Sequence, residues 1–171
     1  MSTIARRSVM ALLGLTVVLA AGTAMAVNDA QNLTINATVS AAAKLSLDAA
    51  AISFASADAD STPSIPSSPA SVNITAKAKT GSSQTVTLTV QSGGDLTSGT
   101  DAIPISQVTW TSGSGGGWLG NGTMSKSAPQ TVASWTGSGS RTGSNSFFLA
   151  NSWDYATGSY TAVTTYTLTS P

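Results

Sequence analysis

The chain has 171 residues, with seven Lys or Arg, seven acids that are all Asp, and no His, Cys or Glu. Without imidazole or thiol no Ser-His-Asp or Cys-His catalytic arrangement can be built, and without Cys there is no disulfide framework. Five cations against seven anions after residue 26 leave a charge of about −2, which excludes the basic stripe that nucleic acid requires and a polybasic membrane patch.

Residues 1–26 read as an export signal. Arg6 and Arg7 form a positive start, Met10 to Ala21 is a mostly apolar run, and Ala24-Met25-Ala26 offers small residues for cleavage after Ala26. The apolar run is too short to span a bilayer, and no second one follows. The Arg pair fits a twin-arginine signal only loosely, so general secretion is expected. Residues 27–171 have the length of one domain, and 48 of those 145 residues are Ser or Thr, which suit exposed sheet faces and turns.

Period-two alternation recurs through this domain, and no convincing helical period competes with it. Leu33, Ile35, Ala37 and Val39 alternate with Thr34, Asn36 and Thr38, so residues 33–39 present one apolar and one polar face as a strand. Leu45 and Leu47 continue the pattern. Three prolines, Pro63, Pro66 and Pro69, predict an extended, solvated connection over 55–71. Val72 to Ala78 and Val86 to Val90 alternate cleanly, and Lys79 to Ser83 between them looks like a hairpin turn.

Further strands are predicted at Ile103 to Trp110, at Trp118-Leu119, at Val132 to Trp135 and at Phe147 to Leu149. Ser112 to Gly117 and Gly137 to Gly143 read as glycine-rich loops. The last strand runs from about Ser159 to Thr169, with Tyr160, Ala162, Thr164, Tyr166 and Leu168 on one face. Eight or nine short antiparallel strands separated by Gly, Pro and Ser turns predict an all-β fold, a single Ig-like sandwich; turn signals do not separate an open sandwich from a barrel.

Few residues carry chemistry. The Asp pairs Asp58/Asp60 and Asp95/Asp101 lie in loops with no twelve-residue ligand pattern, so neither a metal site nor a glycosidase carboxylate pair is assigned. No catalytic residue and no cofactor is expected. The run Gly113, Gly115, Gly116, Gly117 lacks the Lys and following helix of a phosphate loop. Trp110 and Trp135 end apolar strands and are expected in the core. Trp118 and Trp153 lie near loops and are candidates for an aromatic platform that stacks on a sugar.

The chain ends carry a further pattern. The alternating segment Leu33 to Val39 opens the domain, and Gly158-Ser159-Tyr160 leads into a closing alternation that ends at Pro171. In this layout the sequence resembles bacterial chaperone–usher pilus subunits, more closely the disulfide-free alpha-class and spore-coat-U-like ones. Gly158 stands fourteenth from the end, where many pilins have a glycine, and Ser170 stands where that family usually has a penultimate Tyr. The resemblance implies a pilin-like sandwich lacking one strand, completed by the N-terminal strand (within 27–40) of a neighbouring subunit. Leu33, Ile35, Ala37 and Val39 would then enter the neighbour's groove, and Gly158 would belong to the strand-exchange apparatus.

The partners so implied are further copies in head-to-tail order, other surface subunits and a periplasmic chaperone. The residues alone leave open whether 31–40 pairs within its own domain or with another copy. The expected role is a secreted or cell-surface fimbrial subunit, reached via the periplasm, structural or adhesive and not enzymatic. The rival reading is a monomeric carbohydrate-binding module.

Overall fold

The computed structural model describes residues 29–113 and 115–171, so the expected signal peptide lies outside the described residues. The chain divides into two units, Met1–Ala37 and Thr38–Pro171. In the first, residues 29–37 form no strand. The second is all-β. Its strands are β1 (Ala42–Leu47), β2 (Ser53–Phe54), β3 (Ser64–Ser68), β4 (Val72–Lys79), β5 (Thr85–Ser92) and β6 (Leu96–Ser98). They continue with β7 (Asp101–Ile103), β8 (Val108–Ser112), β9 (Gly122–Thr123), β10 (Gln130–Thr136), β11 (Gly139–Ala150) and β12 (Thr164–Thr169). No helix of the described residues is long and apolar enough to cross a membrane.

Alternation builds two facing layers. Val72, Ile74, Ala76 and Ala78 of β4 are buried on one side, and Val86, Leu88, Val90 and Ser92 of β5 on the other. The first layer is a seven-stranded sheet in the order β1-β4-β11-β3-β2, with β8 paired to the other edge of β11 and β9 paired to β8. The second is the three-stranded sheet β10-β5-β12, and β6-β7 forms a small hairpin apart. All pairings are antiparallel. Burying a Val, Leu or Ile from each face contributes about 1.5–3 kcal/mol per side chain. Ile74, Leu88, Val86, Val90 and Val132, the largest fully buried aliphatics, occupy the centre.

Several sequence expectations are corrected here. β4 and β5 do not form a hairpin, because β4 pairs with β1 and β11 while β5 pairs with β10 and β12. Their apolar faces meet across the core, so residues 80–84 cross between layers instead of folding one strand onto the other. Residues 137–138 make a second such crossing from β10 to β11. There Gly137 takes a positive φ of 77°, a conformation that disfavours any Cβ. The two crossings are tied together, since Gly137 donates its N–H to the Gln84 carbonyl at 2.8 Å and the Thr80 N–H reaches Ser138 Oγ at 2.9 Å.

Gly139 to Gly143 is not a loop but the first half of β11, paired with β4 from Gly139↔Ala78 to Gly143↔Ile74. Its glycines answer a packing demand: a Cβ on Gly143 would collide with the Trp118 indole laid over it. Pro66 lies inside β3 and not in an open connection. The β2 ladder reaches only Ser67 and Ser68, so on that edge there is no pairing for Pro66 to interrupt.

The strand expected over Ile103 to Trp110 is split at Pro104 into β7, a 3₁₀ turn at Ile105–Gln107 and β8. Trp118-Leu119 contributes a single bridge, Trp118↔Ala133. The final strand starts at Thr164 and not near Ser159. Just before it Thr161 exchanges both backbone bonds with Thr97 of β6, and Val163 accepts from Gly93, so this stretch leaves the β5 ladder.

The close approach at Gly143 has a measurable consequence. Gly143→Val must push the Trp118 ring out of its seat, and is expected to lower unfolding stability by about 2–3 kcal/mol in urea titrations followed by tryptophan fluorescence. A loss below about 0.5 kcal/mol would show that the ring is not held there.

Candidate functional site

The sandwich has one side where the two layers are not joined. β1 ends the first sheet and pairs only with β4, and β12 ends the second and pairs only with β5. β1 and β12 are neighbours across the layers. Among the described residues no strand covers the outer edge of either. An unpaired strand edge presents a row of free N–H and C=O groups that accepts another strand.

The side chains lining this seam are apolar on the inner face. Leu45 pairs opposite Ala76 and Leu47 opposite Ile74, so both point inward. Yet Leu45 is only half-buried and Leu47 is 37% exposed, although their partners Ala76 and Ile74 are fully buried. On β12, Tyr166 pairs with Val90 and Leu168 with Leu88, again facing in and again half-buried. The outward face of β12 is Thr165, Thr167 and Thr169, set against Gln91, Thr89 and Thr87. The seam is thus an apolar furrow between two unsatisfied edges.

A polar strut crosses beneath it. Asn145 is 0% exposed and donates from Nδ2 to the Tyr166 hydroxyl at 3.1 Å, while its Oδ1 accepts from Ser112 Oγ at 3.1 Å. Ser112 Oγ is also 2.7 Å from the Gly120 carbonyl. This chain links the two layers through side chains. Burial pushes the Tyr166 phenol up to about 12, and the hydrogen bond from Asn145 opposes part of that rise.

At one end the seam meets the layer crossings. Thr80 Oγ1 donates to the Pro171 carbonyl and Ser170 Oγ to the Lys79 carbonyl at 3.3 Å, which ties the end of the chain to the end of β4. An open hollow of about 250 Å³ lies here, lined by Val39, Ser40, Ala41, Lys79, Gly81 and their neighbours. The chain therefore enters β1 beside this hollow. At the other end Asp48 holds β1 to β4, accepting from the Asn73 N–H at 2.8 Å and from its Nδ2 at 2.6 Å. Those hydrogen bonds hold the Asp48 carboxyl below the usual carboxylate range.

The remaining sequence candidates fall as follows. Residues 29–41 belong to no strand, so the alternation at 33–39 is not a ladder strand here. Alternation makes a segment competent to pair, but a ladder needs a partner edge. Leu33 and Ile35 are each 84% exposed and Val39 74%. Gly158 lies outside β12, where a Cβ would collide with Ser98 Oγ of β6, so it seats the preceding loop and does not line the seam.

Trp110 and Trp135 are buried, the latter under the Arg141 guanidinium 5.7 Å from its ring centre. Trp118 is half-buried over Gly143 with its Nε1 enclosed. Trp153 is 68% exposed, with Nε1 donating to Asp60 Oδ1 at 3.1 Å. Trp118 and Trp153 therefore do not share one platform. Asp58 closes its own turn by accepting from the N–H groups of Asp60 and Ser61, and Asp95 is taken by Lys126 and the Ile105 N–H. The interactions of Asp95 likewise hold its carboxyl low, the Lys126 bond foremost.

The seam residues Leu45, Leu47, Tyr166 and Leu168 were readable as strand positions, but nothing local marks them as the lining of an opening. Asn145 left a weak signal, a polar residue between Gly143 and Phe147 on an otherwise inward face. No protein-family model, no curated protein and no solved structure matches the chain.

The Tyr166 shift fixes an alkaline signature. Its folded pKa of about 12 lies above the unfolded value of about 10, so the folded state favours the neutral phenol. That contribution is complete below pH 10 and is lost as pH rises through 12, a fall of about 2–3 kcal/mol. Tyr166→Phe is expected to flatten this part of the stability profile, read by urea titrations at pH 8, 10 and 12. An unchanged slope would remove the phenol from the strut. In acid the sign is opposite: the contributions of Asp48 and Asp95 are lost as pH falls below about 4.

Proposed function

We propose that this chain is an exported structural subunit of a bacterial surface fibre, assembled by strand addition between copies. The alternating segment Leu33 to Val39 of one copy adds to the outer edge of β12 in the next, with Leu33, Ile35, Ala37 and Val39 entering the furrow between β1 and β12. The single observation that carries this reading is the match between an apolar seam with two unpaired edges and an exposed alternating segment carried by the same chain.

Lengths agree. Seven residues in extended form span about 23 Å, and the six residues of β12 about 20 Å. The added strand would gain main-chain ladder bonds and bury three large side chains and one small one against Leu45, Leu47, Tyr166 and Leu168. Each large aliphatic contributes about 1.5–3 kcal/mol when fully covered. Because each copy both offers a strand and receives one, the contact does not close on itself and yields a filament. Before assembly the open seam is an exposed strand edge, prone to pairing with wrong partners, so a periplasmic chaperone that covers it fits the same reading.

The test is negative-stain microscopy of protein recovered after export, beside the double variant Ile35→Asp, Ala37→Asp. Two carboxylates forced into an apolar furrow cost several kcal/mol, so fibres are expected from the unaltered chain and none from the variant. Fibres of normal length from the double variant would end the strand-addition reading.

A further inference from the structure

The outer face of the first sheet carries a block of positive charge. Along β1 and β4 the inward positions are Leu45, Leu47, Ile74, Ala76 and Ala78, so the alternate positions point out. Three of these are lysines. Lys44 faces Lys77 directly, and Lys79 follows two residues on, opposite Ala42. All three are exposed. Paired strands lie about 4.7–4.9 Å apart and alternate residues of a strand about 6.8 Å apart, so the three side chains start from one small surface. Hydroxyl groups border them. Ser140 of β11 is opposite Lys77, and Ser46 and Thr142 flank Thr75 one step along the same face. Arg141 is no part of this surface, because it lies opposite the buried Ala76 with its guanidinium over the Trp135 ring.

Nothing within one copy answers these charges. Among the described residues the Lys126–Asp95 bridge is the single ion pair, so no carboxylate is seated on Lys44, Lys77 or Lys79. Asp48, at the other end of the ladder, is held by Asn73. Like charges directly opposite each other destabilise a ladder, and Lys44 and Lys77 are such a pair. A lysine on an edge strand guards it against wrong pairing, which accounts for Lys44 on β1. That need does not arise for Lys77 and Lys79, because β4 is paired on both sides, to β1 and to β11. The open hollow of about 250 Å³ borders the block at Lys79.

We infer that this face is a docking site for an acidic polysaccharide, one that carries a single carboxylate on each sugar. Opposite charge supplies the attraction, and each lysine ammonium donates to one carboxylate. The lysines are spaced by one strand or by one two-residue step, about the length of a sugar ring. Ring hydroxyls exchange hydrogen bonds with Ser46, Thr75, Ser140 and Thr142 beside them. Other polyanions fit less well. Three charges are too few for the stripe that nucleic acid requires, and this part of the face has no aromatic ring on which a base could stack. It also has no large apolar side chain to enter a membrane. The inference does not depend on strand addition. Where copies assemble, the furrow is at the edges of β1 and β12 and this face points away from it, so each copy adds one patch to the fibre. Repetition then strengthens the hold on one long polyanion by about 10²–10⁴-fold over a single patch.

Amide NMR titration of single copies, for which the Ile35→Asp, Ala37→Asp chain serves, tests this with oligogalacturonate and neutral dextran. Phosphatidylglycerol vesicles are compared by co-sedimentation. At about 20 mM salt, where screening is weak, galacturonate is expected to shift the signals of Lys44, Lys77, Lys79 and Ser140, and dextran to shift none. Changing the three lysines together to Gln is expected to weaken binding by about tenfold or more. Changing them together to Arg is expected to keep it, and Lys126→Gln to leave it unchanged. At about 500 mM salt binding is expected to vanish. Shifts centred elsewhere, equal binding of dextran, or binding indifferent to salt would overturn the patch. Vesicles held more tightly than galacturonate would overturn the polysaccharide in favour of a membrane. Should the Gln triple fail to fold by circular dichroism, the shift map and salt series with the lysines intact decide. Absence of fibres from the unaltered chain leaves this inference standing, whereas fibres and single copies that both ignore galacturonate overturn it and leave strand addition standing.

Discussion

Two pleated layers facing each other across a strip of aliphatic side chains are the condition on which everything else in this protein rests. With no disulfide available, the alternating Val, Ile, Leu and Ala of β4 and β5 must hold the layers together, and each layer contributes only one face to that contact. The arrangement closes wherever a crossing or a covering loop joins the layers. The crossings at 80–84 and 137–138 do so at one end. Along the outer edge of β10 the segment Gly117 to Leu119 does so through bonds to Val132 and Ser134. Between β1 and β12 nothing in the described unit does, and the same force that builds the core leaves Leu45, Leu47, Tyr166 and Leu168 half in water. The functional reading follows from this one incompleteness.

The strut Ser112–Asn145–Tyr166 shows how the incomplete side is kept open without coming apart. A buried amide is costly unless its hydrogen bonds are made, and Asn145 makes them to both layers. Because Tyr166 is on the edge strand itself, the strut fixes β12 relative to β11 without needing a further strand to press it in place. Asp48 does the equivalent for β1 by gripping Asn73. Both edge strands are thus anchored on the side away from the seam, which leaves their outer hydrogen-bonding groups free.

The alternation of Val72 to Ala78, Val86 to Val90 and Tyr166 to Leu168 was legible in the sequence because strand periodicity is a local property. So was the all-β fold. What was not legible is which strands share a layer. The five-residue turn after Lys79 reads the same whether it folds β5 beside β4 or carries it across the core, and the choice is made by distant partners, β10 and β12. Gly139 to Gly143 misled for a related reason. Glycine signals a loop when only local propensity is weighed, whereas here Trp118, about 25 residues away, requires a strand without side chains beneath its ring. The seam itself is a property of topology, since it exists only because the first and last strands of the unit lie at the ends of two different sheets.

The β1–β4 ladder has one more consequence. Its six rungs, Ala42↔Lys79 to Leu47↔Ile74, lie along the strand direction, and the chain enters at Ala42 beside the hollow. A tensile load that arrives through residues 38–41 along the strand direction pulls β1 along its own axis. All six rungs share that load in shear, instead of yielding one after another as in peeling. A unit threaded in this way resists stretching through its first strand, a mechanical property set by where the polypeptide enters the sheet and independent of any covalent crosslink.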